Sequence, residues 1–484
     1  MVKTSIVVCL SALALAGCVS VGDGDSVVEG GCPAVSRDGT KLAFQRVEGT
    51  RMHLGVLDLA SGRVEWVVRG ETAATAKENA CQPAWGPDGS LVYAYANLTS
   101  TAYRRFSSKG PKEGYSIRRW KDGRSTELVG GFARNFTPFV TADGRKLLFC
   151  RQDGTGEKDT RICELDLDGP GTFRTLRGKP AGDAGVCQPV VSPDGRLMAW
   201  AELPDFGMAW RIRVARTDRP DASFEVTPSS LPGYAPCFMP DSRHLLFTGF
   251  SPGDAGWGVY VIDIATGAFR RLADGEDPCV TADGKTVYFA SGGQIRRLAV
   301  DGRTFADLTP QDRPNLAAEA EKVVLRRAAL KPGEKVAVPD DGAGPQATRF
   351  LRFTFDMDGN DGRRAVANVV WDGKAQLHFF TLARTMVFVS RERTDNGRKV
   401  DDGTVLPKGT HRVTGVRGGD GRIYLSVDDA PPASVGCGYG LMPIVGDGTL
   451  QAFGDAVLNV RDVEYGVGWP ANVPVPPTGR DLLR

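Results

Sequence analysis

Six stretches of the chain repeat one pattern of apolar and polar positions: a proline, a short apolar run, a polar turn usually built on Asp-Gly, and a second apolar run. They read PAVSRDGTKLAF from Pro33, PAWGPDGSLVYA from Pro83, PFVTADGRKLLF from Pro138, PVVSPDGRLMAW from Pro189, PCFMPDSRHLLF from Pro236 and PCVTADGKTVYF from Pro278. The prolines follow one another at offsets of 50, 55, 51, 47 and 42 residues, which marks an internal structural repeat. The apolar runs predict strands. Asp-Gly between them predicts a tight hairpin turn, because Gly accepts positive φ and Asp bonds its own backbone. The fifth repeat carries Asp241-Ser242 instead, a poorer version of the same turn. Two further strands follow in each repeat. The clearest pair is Trp257 to Ile264 and Ala268 to Leu272, and His53 to Leu59 and Gln294 to Val300 are third strands of other repeats.

Four strands per repeat is the pattern of a propeller blade. Six repeats over residues 28–310 therefore predict a six-bladed β-propeller, a closed ring that hides most sheet edges. The wording resembles the PD40 or TolB-type repeat, whose core is Pro-x-x-Ser-Pro-Asp-Gly. Residues Pro189 to Gly195 match that core in full, and Pro83 to Gly89 nearly so. The resemblance implies the fold; one fold hosts many roles, so it does not choose a function.

After Pro310 the repeat stops. Residues 311–322 read as a linker, and the Ala-, Glu- and Arg-rich stretch from Asn315 to Leu330 as a short helix or part of that linker. Over 323–484 strands resume. Leu351 to Phe355 alternates strictly, as a half-buried strand does. Ala365 to Trp371, Ala375 to Leu382, Met386 to Ser390, His411 to Val416, Arg422 to Asp428 and Asn459 to Tyr465 are further strands. Glycine turns between them and the lack of helical periodicity predict a β-sandwich, so the whole mature chain is all-β. Gly409 to Val413, Gly421 to Asp428 and Phe453 to Val463 resemble a concanavalin A-like or laminin-G-like jelly roll. That resemblance implies a surface for glycan or protein.

The N-terminus is an address and not a fold element. Lys3 precedes an apolar run, Ile6 to Ala16, that is too short to span a bilayer. It ends in Leu15-Ala16-Gly17-Cys18, which resembles the bacterial lipobox. The resemblance implies a signal peptide over 1–17, lipidation of Cys18, a tether over 18–27, and an anchor of several acyl chains. With Val19 after Cys18, a Gram-negative source would place the protein at the outer membrane or in the periplasm. No later segment is apolar enough for a transmembrane helix. The chain has 60 basic and 58 acidic side chains, a formal charge of +2, which gives no field to attract nucleic acid.

Chemistry is scarce. His53, His244, His378 and His411 form no metal-binding spacing, so no metal and no cofactor is expected. Gly249-Phe-Ser-Pro-Gly253 matches the nucleophile elbow G-x-S-x-G. A strand and not a helix follows it, and Pro252 after Ser251 has no N–H for an oxyanion, so it reads as a turn. Gly436-Cys-Gly-Tyr-Gly440 has no helix behind it to cradle a phosphate and reads as a loop. Asp356-Met-Asp-Gly-Asn-Asp361 has carboxylates at calcium-like spacing, but the glycine and the terminal acid do not fit an EF-hand loop, and a hairpin turn accounts for it equally; calcium at Asp356 and Asp358 stays open. Cys150 and Cys163 lie on neighbouring strands of one repeat, where a disulfide fits. Cys32, Cys81, Cys187, Cys237 and Cys279 sit around the first strand of five repeats and read as small buried fillers of the ring's inner wall. No catalytic constellation stands out. The expected function is binding or scaffolding, with an envelope protein or extracellular polysaccharide as partner. The alternative is a glycan-active or peptidase-type enzyme whose carboxylates the sequence does not single out.

Overall fold

Apolar runs flanking Asp-Gly turns fold as antiparallel meanders. The computed structural model describes residues 24–476 apart from 50, 71–78, 97–114, 132, 154–159, 170, 178–184, 204–209, 228–230, 251–255, 301–307, 309–315, 317–318, 346, 360–361, 372–373, 392–396, 402–403, 420–421, 437–443 and 454–458. Cys18, Ser251 and Cys437 to Gly440 lie outside the described residues. Among the described residues there are 36 strands and no α-helix, so the protein is all-β. The chain divides into two compact units, one reaching Gln311 and one from Asp312 to Pro476.

The first unit opens with β1 (Asp25–Glu29) and the first repeat, β2 (Gly31–Val35), β3 (Lys41–Glu48), β4 (Arg51–Asp58) and β5 (Val64–Val68). The second repeat is β6 (Asn79–Trp85), β7 (Leu91–Ala96), β8 (Tyr115–Lys121) and β9 (Arg124–Val129). The third is β10 (Arg134–Val140), β11 (Lys146–Gln152), β12 (Thr160–Asp166) and β13 (Phe173–Arg177). The fourth is β14 (Gly185–Val191), β15 (Leu197–Leu203), β16 (Arg211–Arg216) and β17 (Arg219–Glu225). The fifth is β18 (Gly233–Phe238), β19 (His244–Gly249), β20 (Gly258–Asp263) and β21 (Phe269–Asp274), and the sixth is β22 (Glu276–Val280), β23 (Thr286–Ser291) and β24 (Gln294–Ala299). Each strand pairs with the next in its repeat. The sixth repeat takes its fourth strand from the other end of the unit: β1 pairs antiparallel with β24, Asp25 opposite Arg297 and Glu29 opposite Gln294. The stretch read as a tether, 18–27, thus enters a sheet at Asp25.

The repeat motif is a turn device. The Asp38 carboxylate accepts from Ser36 Oγ (2.6 Å) and the Thr40 N–H (3.0 Å), and Ser36 Oγ accepts the Lys41 N–H (2.9 Å). Thr141 with Asp143, Ser192 with Asp194 and Thr281 with Asp283 repeat the bond at 2.6 Å. Ser242 takes the left-handed place of the missing glycine in the fifth turn, at φ 57°.

The six first strands touch in a closed cycle: β2 with β6, β6 with β10, β10 with β14, β14 with β18, β18 with β22, and β22 with β2. Six separate apolar clusters lie at the seams between successive repeats, including one that returns from the sixth to the first through Tyr288, Ile295, Leu42 and Phe44. Each sheet buries both faces, which is why its inner strands read as continuous apolar runs. Each fully buried aliphatic or aromatic side chain contributes about 1.5–3 kcal/mol.

The seam returning to the first repeat depends on β1, whose Val27 and Val28 pack against that cluster. Deleting residues 24–29 is expected to cost about 3–5 kcal/mol, from some four ladder hydrogen bonds plus lost apolar burial. Hydrogen exchange should then accelerate in Gln294–Ala299 and leave Gly185–Val191, at the opposite side of the cycle, near its original rate; equal acceleration of both would refute a local role for β1.

The second unit is two six-stranded sheets that share one core. One holds β25 (Lys322–Ala329), β36 (Arg461–Val467), β27 (Arg349–Met357), β32 (Gly409–Arg417), β33 (Arg422–Val427) and β34 (Ala433–Gly436). The other holds β26 (Lys335–Val338), β35 (Gly448–Ala452), β28 (Arg364–Trp371), β29 (Lys374–Leu382), β30 (Thr385–Arg391) and β31 (Gly397–Asp401). Phe353, Phe355, Phe379, Phe388 and Trp371 lie in the shared core. The stretch from Asn315 is not a helix among its described residues: Leu316 packs against Phe350 and Trp469, and Lys322 begins a strand. The edge strand runs as an apolar block, Val323 to Leu325, then Arg326-Arg327, without the strict alternation that marks a strand, which accounts for the difference.

Candidate functional site

Each first strand carries a bulge at the residue before its proline. Cys32, Gln82, Thr137, Gln188, Ala235 and Asp277 all have left-handed backbones, with φ between 46° and 54°. Pairing with the second strand is interrupted there in every repeat, for example between Gly31 and Ala34 and between Glu276 and Cys279. Left-handed non-glycine residues are strained, and six at equivalent positions mark a designed feature of the inner strands. The freed N–H groups bond the preceding repeat. Thr137 N–H donates to Gln82 Oε1 (2.9 Å), Ala235 N–H to Gln188 Oε1 (2.8 Å), and Asp277 N–H to Thr248 Oγ1 (2.9 Å).

Aligned on the prolines, this column holds one charged residue, Asp277. The column before it holds Gly31, Cys81, Phe136, Cys187, Tyr234 and Glu276, again with one charge. Both acids thus fall on β22. Asp277 Oδ2 accepts from Cys32 Sγ (3.2 Å), and Glu276 Oε2 accepts from Tyr234 Oη (2.9 Å). Burial, reinforced by Glu276 and opposed by the Cys32 bond, pushes the Asp277 carboxyl up to about 6.

Tyr234 joins this acidic pair to an aromatic shelf. Its ring meets Trp257 edge-on at 5.1 Å, and Trp257 meets Phe250 at 5.7 Å. Trp257 and Phe250 are 39% and 37% exposed, large values for rings of this size. The Trp257 carbonyl accepts from the Gly275 N–H (3.1 Å) and from Arg271 Nη2 (3.5 Å), which ties the backbone under the shelf. Tyr234, Glu276 and Asp277 belong to no chemical motif, Phe250 falls in Gly249 to Gly253, which reads as a turn, and Trp257 reads only as the start of a strand. The signal that finds the two acids is the column comparison, since each is the one charged member of its column.

The cysteines behave differently from one another. Cys150 and Cys163 are free thiols, which corrects the disulfide reading. Cys150 lies opposite Ile162 and Cys163 opposite Phe149, so the two side chains point to opposite faces of their sheet and enter different seams. Cys32, Cys81, Cys187, Cys237 and Cys279 are half-buried on the first strands and none is in a disulfide. Burial pushes Cys81 and Cys237 up to about 12, so they stay protonated and unreactive at neutral pH.

In the second unit Asp356 is already saturated. It accepts both Nη groups of Arg461 (2.9 Å each), Thr410 Oγ1 (2.6 Å) and Asn459 Nδ2 (2.9 Å). Arg461, with help from Thr410 and Asn459, holds its carboxyl well below the usual carboxylate range. Asp358 pairs with Arg364 (2.7 Å). These ion pairs account for both acids without calcium, and no group of three or more metal-ligating side chains is gathered among the described residues. His411 bridges Asp428 (2.8 Å) and the Pro407 carbonyl (2.9 Å), and His53 Nδ1 accepts the Gly70 N–H (3.1 Å). An open depression lined by Glu321, Val323, Val324, Arg326 and Ala471 has its charges mutually satisfied, with Arg352 on Glu321 and Arg326 on Glu464, both at 2.9 Å.

No family model matches the sequence, and a search of curated proteins finds no match either. Among solved structures, TolB from Acinetobacter baumannii is 18% identical with a TM-score of 0.40, over 51% of this chain and 56% of that one. The chain therefore matches little more than half the length of TolB. Oligogalacturonate lyase from Vibrio parahaemolyticus is 15% identical with a TM-score of 0.40, over 56% of this chain and 78% of its own. Trypanosoma rangeli sialidase in complex with the inhibitor DANA is 11% identical with a TM-score of 0.41, over 94% of each chain. TolB, a lyase and a sialidase stand side by side here, so the likeness does not choose among activities.

Proposed function

We propose that this chain is a non-catalytic binding module of the bacterial cell envelope, anchored through lipid on Cys18. The cycle of first strands and the six seams support reading the first unit as a six-bladed TolB-like propeller. The shared core of two six-stranded sheets supports reading the second as a concanavalin A-like sandwich. The observation that carries the binding reading is the exposed shelf of Phe250 and Trp257 joined through Tyr234 to the acids of β22. A rigid exposed aromatic surface beside polar groups is the composition of a contact site. The lipobox Leu15 to Cys18 supports the anchor.

A photo-cross-linking residue at Phe250, in cells making the full chain, is expected to capture an envelope protein or polysaccharide. The same residue at Arg196, on a repeat turn, is expected to capture nothing. Equal capture from both positions, or none from Phe250, would sink the reading. Cys18→Ala is expected to move the protein from the membrane fraction to the soluble one; membrane retention of that variant would remove the anchor.

A second reading rests on the Tyr234 to Glu276 bond. A phenol held by a carboxylate is an arrangement that serves as a nucleophile in some glycosidases. On that reading the chain releases reducing sugar from oligosaccharides, and Tyr234→Phe abolishes the release.

A further inference from the structure

We infer that the site around Trp257 takes a neutral, hydroxyl-rich sugar, stacked on the indole and hydrogen-bonded to the open oxygens of Glu276 and Asp277. This rests on the binding reading above and names its ligand class and place: the first unit, on the inner strands, and not the surface of the second.

Three observations carry it. The first is the acceptor pair. Each carboxylate has one oxygen engaged, by Tyr234 or by Cys32, and among the described residues the other oxygen, Glu276 Oε1 or Asp277 Oδ1, receives no hydrogen bond. Glu276 and Asp277 are each only half-buried. Carboxylates ionised or half-ionised are acceptors, so the complementary ligand brings donors, and vicinal hydroxyls bring them in pairs.

The second is the missing counter-charge. The two columns of inner-strand residues contain no Lys, Arg or His. Two carboxylates whose inner-strand columns hold no basic residue, beside an Arg271 that is already paired with Asp274, repel uronates and other acidic sugars. They bind hydroxyls without needing to neutralise anything. A carboxyl poised near pH 6 also suits a hydroxyl, which both accepts and donates, better than it suits a fixed cation.

The third is the platform. Trp257 is exposed, and its ring is braced between Tyr234 and Phe250, so stacking has less of it to order. The apolar CH face of a pyranose fits an indole, and the hydroxyl rim then projects sideways. Tyr234 lies between the indole and the Glu276 carboxylate and touches both.

The test is an array of immobilised oligosaccharides bearing neutral hexose, N-acetylhexosamine or uronate units, probed with the full mature chain in detergent. Binding to neutral sugars and not to uronates is expected. Trp257→Ala should weaken it about tenfold, Trp257→Phe should restore part of it, and Glu276→Ala should weaken it about tenfold as well, with unchanged melting showing each variant folded. Uronate preference, or neutral-sugar binding untouched by both alanine variants, overturns the inference. A blank array while Phe250 still cross-links a protein overturns the sugar and leaves the binding reading standing. A blank array with no cross-link overturns both.

Discussion

Asp277→Asn is expected to stabilise the first unit by about 3 kcal/mol at pH 8 and to change little at pH 4. The carboxyl sits at about 6 in the folded chain against 3.8 for the ordinary group, so folding holds its proton more tightly. Below the lower value it is protonated in both states and the asymmetry disappears. As pH rises from about 4 through about 6 the folded chain must either keep a proton that the unfolded chain releases or bury a charge, and stability falls; above about 6 the full difference is present. The cause is burial first, with Glu276 adding repulsion and the Cys32 thiol relieving part of it. The nearby Cys279 stays neutral because burial pushes its thiol far up. Asparagine keeps an acceptor for Cys32 and carries no charge. The measurement is thermal unfolding of both proteins at pH 4, 6 and 8, without ligand. A difference that stays constant with pH would show that Asp277 is not the group responsible.

The turn aspartates work in the opposite direction and cancel in that comparison. Ser36, Thr141 and Thr281 donate to Asp38, Asp143 and Asp283 and hold them below the usual carboxylate range. Their contribution is present above the unfolded value and is lost as pH falls through the folded one. Both proteins therefore lose it together in acid. What separates Asp277 from these four-residue turns is that the protein keeps a destabilising acid where a neutral residue would do, and such residues are retained where they bind something.

The difference between the two kinds of aspartate also explains what could be read from the chain. The turn aspartates sit in local motifs, where Gly (Ser in the fifth) one residue after and, in four of the six, Ser or Thr two residues before determine the geometry, so six turns and most strands of the first unit are visible by inspection. The second unit is less regular. Leu351 to Phe355 and His411 to Val416 are within strands that extend by one or two residues at each end, Arg349–Met357 and Gly409–Arg417. The short strands Lys335–Val338, Ala433–Gly436 and Gly448–Ala452 lack enough residues to show alternation. The site escapes for another reason. Tyr234, Trp257 and Glu276 come from three strand ends, and nothing local to any of them reports the other two. Cys150 and Cys163 fail in the same way: lying on paired strands is visible, but facing opposite seams depends on a register offset of one residue.

Asp341→Ala is expected to destabilise the second unit by about 3–5 kcal/mol, the largest loss expected of any single substitution there. Asp341 and Arg349 are buried to side-chain exposures of 3% and 2% and form a two-pronged pair, Nε to Oδ2 at 2.7 Å and Nη2 to Oδ1 at 3.0 Å. Tyr465 Oη donates to the same carboxylate at 2.6 Å, and the Ala343 N–H donates at 2.9 Å. Arg349 Nη1 also reaches the carbonyls of Gly344 (3.2 Å) and Ala347 (3.3 Å), so one guanidinium fastens the connection between β26 and β27 to the sheet. Removing the carboxylate leaves a buried guanidinium without its counter-charge and a buried phenol without its acceptor, and that desolvation exceeds the value of the bonds themselves. Tyr465→Phe should cost far less, about 1 kcal/mol, because it removes one bond and strands no charge. Arg349→Met combined with Asp341→Leu should be milder than Asp341→Ala alone, since the pair leaves together. Hydrogen exchange of Arg349–Met357 and Arg461–Val467 in the full chain reads all three variants. If the double variant exchanges faster than Asp341→Ala, the loss comes from the connecting loop and not from an orphaned charge.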